Sequence, residues 1–291
     1  MPQLRPSWQL SVTIAAVLAV LFLACYPVRR RWADVLGAFA GEFTLVMCLL
    51  AVWQFVGRFV HSRVEGAFTR AHEIVRLQHA WHLPSELTVQ RLVLPHHALV
   101  WAMDAYYDFV HLNSMAIFLV WMWWRHRDHY PRVRNTVVLT TLACLLVQAV
   151  PVAPPRMLTD LGFVDTALLY GQSVYGPFGS GISNQLAAMP SVHVAWAAIV
   201  AWYVVRVTRG GWRVIGPTHL ALTLLAVVAT ANHWWLDGIV AIGLMAVAIL
   251  AQELPRLVRS RPGAVLVTPL GTGPARPADA ADQLAPAPSE P

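Results

Sequence analysis

Five side chains in this sequence have types and spacings suited to chemistry: Arg156, Ser191, His193, His233 and Asp237. His233 and Asp237 stand four residues apart, a spacing that on a helix sets both on one face. A carboxylate there accepts a hydrogen bond from one imidazole nitrogen, fixes the tautomer and leaves the other nitrogen as a nucleophile or base. Pro190-Ser191 is a helix-start signal with Ser191 as the N-cap. The free N–H groups of such a first turn form an anion site, and phosphate is a natural occupant. His193 falls in the same turn, where it can give a proton to a leaving oxygen. Arg156 adds a fixed cationic fork for phosphate oxygens. Two histidines and an aspartate also suit zinc, but an arginine and an anion-binding helix start are poor neighbours for a cation.

These groups must be positioned by apolar elements. The 291 residues are 57% hydrophobic and only 12% charged, about half the charge of an average soluble domain. Several apolar runs reach the roughly 20 residues needed to cross a bilayer. The sequence therefore predicts an all-α, multi-span membrane protein. An ionisable group at the edge of such a run is expensive and marks a functional candidate. All 21 basic residues are Arg, and the net charge is +6. The arginines cluster in short loops, which fits membrane topology and not nucleic-acid binding. Cys25, Cys48 and Cys144 lie inside apolar runs and read as small core residues.

Seven spans are expected, over residues 8–28, 33–60, 104–124, 136–152, 191–206, 214–231 and 235–254. Residues 1–32 form an N-terminal span and 33–254 a six-helix catalytic core. Within the core, 61–103 reads as interfacial amphipathic helices, a first over 61–82 and a second capped by Ser85. Glu42, inside the second span, reads as neutral or hydrogen-bonded inside the bundle. Pro151, Pro154 and Pro155 end the fourth span. Residues 156–188 form a long Gly-rich polar connection. The Ala- and Pro-rich stretch 255–291 reads as a disordered cytoplasmic tail.

The loops at 29–31, 125–134, 206–213 and 256–261 are basic, which places them in the cytoplasm. Arg156, Ser191, His193 and the His233/Asp237 pair then meet at the opposite, extracytoplasmic ends of their spans. The expected location is the plasma membrane.

Pro155-Arg156, Pro190-Ser191-Val192-His193 and His233-x-x-x-Asp237, in that order, resemble the three signature motifs of the type 2 phosphatidic acid phosphatase superfamily. The strings Pro-Val-Ala-Pro-Pro-Arg-Met, Met-Pro-Ser-Val-His and Ala-Trp-Ala, with Tyr107-x-x-x-His111, are similar to its branch containing the inositol phosphorylceramide synthases. The resemblance covers residues 33–254. It implies a ping-pong phosphoryl transfer through a phosphohistidine, with no metal or other cofactor. His233 would attack phosphorus and Asp237 orient it. His193 would protonate the leaving group and then activate the acceptor. Arg156 and Ser191 would hold the non-bridging oxygens.

The sequence departs from the family pattern at two places. Ala149 stands where the first motif usually carries Lys, and Ala226-Val227 where the third usually has Ser-Arg. The pocket has fewer cations than a simple lipid phosphatase, and His111 is a further candidate phosphate ligand. The expected substrate is a membrane lipid phosphate or phosphodiester, with water or a polyol as acceptor. The rival expectation is a non-catalytic lipid-binding or transport protein that reuses the fold.

Overall fold

The computed structural model describes residues 8–61, 65–170 and 185–259. Two helices open the chain, α1 (Trp8–Cys25) and α2 (Arg31–His61). Two short amphipathic helices follow, α3 (Ala67–Ala80) and α4 (Glu86–Val93). Then come α5 (His97–Ala105), a π-turn (Tyr106–Val110) and α6 (His111–Arg125), without a break. Next is α7 (Tyr130–Gln148), then 3₁₀ turns at Pro155–Met157 and Thr159–Leu161, and the single turn α8 (Thr166–Leu169). Helices α9 (Val192–Val207), α10 (Ile215–Ala229) and α11 (Trp235–Arg259) complete the bundle. Among the described residues no β-strand forms; Val152 and Ala187 make one isolated parallel bridge.

Among the described residues, four segments are long and apolar enough to cross a membrane: Trp8–Cys25, Arg31–Val56, Gly210–Ala229 and Trp235–Leu254. The shorter apolar helix α9 is the centre of the bundle, packed by α6, α7, α10 and α11. Its small residues Ala195, Ala197 and Ala198 are buried and let neighbours approach. Gly216 of α10 packs against the α9 backbone: a Cβ there would stand 2.7 Å from the Ala201 Cα. α1 packs on α2, and α2 packs on α7. Glu42 of α2 accepts hydrogen bonds from Tyr130 (2.8 Å) and Arg134 (2.9 Å), so the carboxyl inside the second span is a bundle contact.

Several boundaries differ from the sequence reading. The third long helix starts at His97, not at residue 104. Pro95 is the nearest breaker, and the intervening residues are apolar and helix-compatible. α11 runs to Arg259, past the expected end at 254, so the head of the expected tail is helical; residues 260–291 lie outside the described residues. The helix expected over 61–82 occupies Ala67–Ala80, and residues 62–64 lie outside the description. The 156–188 connection is not simply solvated. Leu158 and Phe163 are buried in a core with Ala71, Ile74 and Trp234, because they alternate with the polar residues of two successive 3₁₀ turns. Residues 171–184 of it lie outside the described residues.

Candidate functional site

Three chain segments converge, and each is shaped by its own sequence. The first is the proline-rich exit from α7. Pro151, Pro154 and Pro155 cannot continue a helix, so the chain turns and buries Arg156, which is 5% exposed. The Arg156 backbone N–H donates to the Ala231 carbonyl at 2.8 Å. Its guanidinium donates to the Asn232 side-chain oxygen and lies 3.3 Å from Asp165 Oδ2. The cationic fork is thus aimed by a neighbour of His233 on one side and by α8's N-cap on the other.

The second segment is the start of α9. Ser191 is the N-cap, fully buried, and its Oγ accepts the Val194 N–H at 3.3 Å. The preceding Pro190 carbonyl accepts from Gln148 Nε2 at 3.1 Å. The N–H groups of Val192 and His193 have no acceptor among the described residues. They are the open donors that a helix start leaves.

The third segment, Ala231–Asp237, differs from expectation in one respect. His233 and Asp237 do not share a helix face, because α11 begins only at Trp235. His233 lies in the turn before it. Asp237 is the third residue of the helix and reaches back over its own first turn. Its Oδ2 accepts the Trp234 N–H at 2.9 Å and lies 3.2 Å from His233 Nδ1. This is the reciprocal half of a capping box, in which a side chain three residues into a helix serves the N-cap N–H. The left-handed conformation of Ala231, at φ 54°, starts the turn.

His233 Nδ1 has a second acceptor, the Ala188 carbonyl at 2.8 Å. Two acceptors on one ring nitrogen require the proton to sit there. Nε2 is then unprotonated in the neutral ring and carries the free lone pair. Both His233 and Asp237 are buried, at 5% and 0% exposure. The backbone joins the segments as well: Ser191 N–H donates to the Asp237 carbonyl at 3.2 Å, and Trp234 Nε1 to the Ala153 carbonyl at 3.0 Å.

His193 is set differently. Its ring centroid lies 5.5 Å from that of His233. It stacks on Tyr107 at 4.2 Å and meets His111 at 4.0 Å. His111 in turn stacks on Trp196 at 4.8 Å. Among the described residues no hydrogen bond holds the His193 ring nitrogens. Tyr107 and His111 stand four residues apart on the continuous run of α5, π-turn and α6, so both face this ring.

The structure thus brings Arg156, Ser191, His193, His233 and Asp237 together, with His111 behind His193. It adds residues that the motif spacing did not single out: Asn232, Asp165, Glu86 and Gln78. Glu86 Oε1 accepts the Trp235 N–H at 3.0 Å, and Gln78 Oε1 the Leu236 N–H at 2.8 Å. Burial pushes the Glu86 carboxyl above its usual range, against the opposing effect of the Trp235 N–H. A signal for both was present. Ala67, Ala71, Ile74 and Gln78 form the buried stripe of α3, and Glu86, Gln90 and Val93 that of α4. A polar residue on the buried stripe of an amphipathic helix must have a partner.

No curated protein and no solved structure matches the chain. A family model does match, over residues 72–251, a stretch that begins within α3 and ends within α11 and so takes in all three converging segments. With this match spanning more than half its length, the chain belongs to the PAP2 superfamily, whose members are generally phosphatases.

Proposed function

We propose that this protein is a membrane-embedded phosphoryl-transfer enzyme acting on a lipid phosphate or phosphodiester through a phosphohistidine. The observation that carries the reading is the double restraint on His233 Nδ1 by the Ala188 carbonyl and Asp237. It leaves Nε2 as the lone-pair nitrogen next to His193 and beside a buried arginine. In the first half-reaction Nε2 bonds to phosphorus, the bond from phosphorus to the leaving oxygen breaks, and His193 gives that oxygen a proton. In the second, His193 takes the proton of the acceptor hydroxyl, whose oxygen displaces Nε2 from phosphorus. Arg156, Ser191 and the open N–H groups of α9 hold the non-bridging oxygens, so positioning and charge stabilisation supply most of the rate. His111 backs His193 and adds a further donor to the phosphate.

The catalytic unit in this reading is residues 33–254: α2, the α5–α6 pair, α7, α9, α10 and α11 form a six-helix core, and α1 is an added N-terminal span. The site opens on the extracytoplasmic side of the plasma membrane, with the basic loops in the cytoplasm. Tyr107 stacked on His193 supports the branch resembling inositol phosphorylceramide synthases, since Tyr107 and His111 are two of its matching positions. The acceptor is then a polyol, and otherwise water.

Purified protein incubated with labelled lipid phosphate, with and without a polyol, tests this. Free phosphate identifies a hydrolase and a new phosphodiester a transferase. H233A abolishes both and traps no labelled histidine. Lipid binding without any turnover, unchanged in H193A, H233A and D237A, would instead identify a transport or scaffold protein.

A further inference from the structure

The first turn of α11 carries the His233/Asp237 pair, and its backbone is held by side chains from elsewhere in the chain. A helix start leaves its first N–H groups without helical partners. Here the Trp234 N–H goes to Asp237, the Trp235 N–H to Glu86 and the Leu236 N–H to Gln78, while the Asp237 N–H closes a tight turn on the Trp234 carbonyl. Glu86 and Gln78 lie about 150 residues upstream in sequence. They are 5% and 3% exposed. The helices that carry them are joined to the Arg156 segment too. Arg70 of α3 donates to the Pro151 carbonyl at 2.7 Å, and Ala153 N–H to the Ala67 carbonyl at 3.2 Å. Gln90 of α4 exchanges two hydrogen bonds with the Val164 backbone, at 2.7 and 3.0 Å. The α3–α4 pair therefore bridges the arginine segment and the histidine segment from outside the bundle.

We propose that α3 and α4 act as a clamp on the nucleophile, with Glu86 and Gln78 as positioning residues that set His233 and Asp237 by capping the first turn of α11. Neither touches His233; each acts through the backbone of the residues between His233 and Asp237. The role needs an acceptor oxygen at each position, and for Glu86 it does not need the charge. The inference rests on the phosphoryl-transfer reading only for its effect on rate.

The test uses the full chain in lipid nanodiscs, with E86A, E86Q and Q78M. Turnover of the labelled lipid phosphate and amide hydrogen exchange at residues 234–237 are both measured. E86A should lower kcat by about tenfold to a hundredfold, as misplacement of a reacting group does, with KM within about twofold. It should accelerate exchange of the Trp235 amide at least about tenfold. E86Q keeps the acceptor oxygen and should restore both to within about threefold. Q78M should reproduce the effect at Leu236, and it carries the test should E86A fail to fold. Wild-type kcat and exchange in E86A or Q78M would overturn the clamp, and so would E86Q as impaired as E86A. Should the wild-type protein neither turn over nor form phosphohistidine, the transfer reading fails by itself. The exchange arm then still decides whether Glu86 and Gln78 hold the turn.

Discussion

Two helix starts meet at the site, and they are finished in opposite ways. At α11 the first-turn N–H groups are taken up by Asp237, Glu86, Gln78 and the turn itself. At α9 Ser191 takes the Val194 N–H, and among the described residues those of Val192 and His193 stay open. Both have the partial positive charge of a helix N-terminus. Of the two, and among the described residues, α9 is the one with donors left to offer an anion. In the phosphoryl-transfer reading proposed above, the difference separates two tasks. A nucleophile needs a rigid platform and a defined tautomer, so its helix start is closed by hydrogen bonds. A phosphate cradle needs free donors, so its helix start is left open. The two histidines follow the same division. His233 is held by two acceptors on one nitrogen, whereas His193 is held by ring contacts with Tyr107 and His111. In that reading His193 must first give and then take a proton, and a ring with no hydrogen bond from the described residues to fix its tautomer suits that.

The comparison can be broken most sharply at the closed end. H233A should reduce turnover of a lipid phosphate by at least about 10⁴-fold, as loss of a nucleophile does, and leave the unfolding midpoint in detergent near wild type. D237N can still cap Trp234 but no longer stabilises a charged imidazole; kcat should fall by about 10³-fold with little change in KM. Equal effects on kcat and KM would mean that Asp237 binds substrate instead.

The open end should respond more weakly and in a different parameter. S191A removes the cap worth about 1 kcal/mol. Inhibition by inorganic phosphate should weaken by about fivefold, with a lower unfolding midpoint; unchanged inhibition would place the anion elsewhere. Y107A removes the stack on His193, worth about 0.5–1.5 kcal/mol. It should lower kcat by about threefold to tenfold, while Y107F stays within about twofold.

The smallest effect belongs to the contact that ties α3 to the arginine loop. His72 Nε2 lies 2.8 Å from Asp160 on the surface. The Phe68 carbonyl first, and Asp160 second, hold the His72 imidazolium above its ordinary range. A raised histidine contributes stability below its unfolded value, about pH 6.5. That contribution disappears as pH rises through the folded value. The unfolding midpoint of H72A should therefore fall short of wild type in mildly acidic buffer and converge with it at alkaline pH. A gap that persists at alkaline pH would show that packing, and not charge, ties α3 down.

Much of the site was legible because it is local. Pro190-Ser191 announces a helix start, and the structure puts the N-cap at Ser191. The proline cluster after α7 announces a turn, and Arg156 sits in a 3₁₀ turn there. The long apolar helices follow from composition alone. The His233-to-Asp237 spacing was read as one helix face, and here local reasoning misled. The expected start of the last span, residue 235, is where α11 begins, so His233 already lay outside it, and what the spacing left open is how the turn before the helix is held. What ends the ambiguity is the supply of acceptors for three N–H groups, and two of those acceptors come from α3 and α4. The start of α5 was missed for a related reason: nothing local separates 97–103 from the residues that follow.

Residue types and their order along the chain were enough to set the membrane class, the helical bundle and the group of five side chains, since apolar run length, proline and capping chemistry act over a few residues. The tertiary structure alone decided which nitrogen of His233 carries the proton, which helix start stays open, and that Tyr107 and His111 pack on His193. Each of those depends on a partner dozens of residues away or more, such as the Ala188 carbonyl for His233 or Glu86 for Trp235. Hydrogen bonds and ring contacts of that range exist only once the helices have packed.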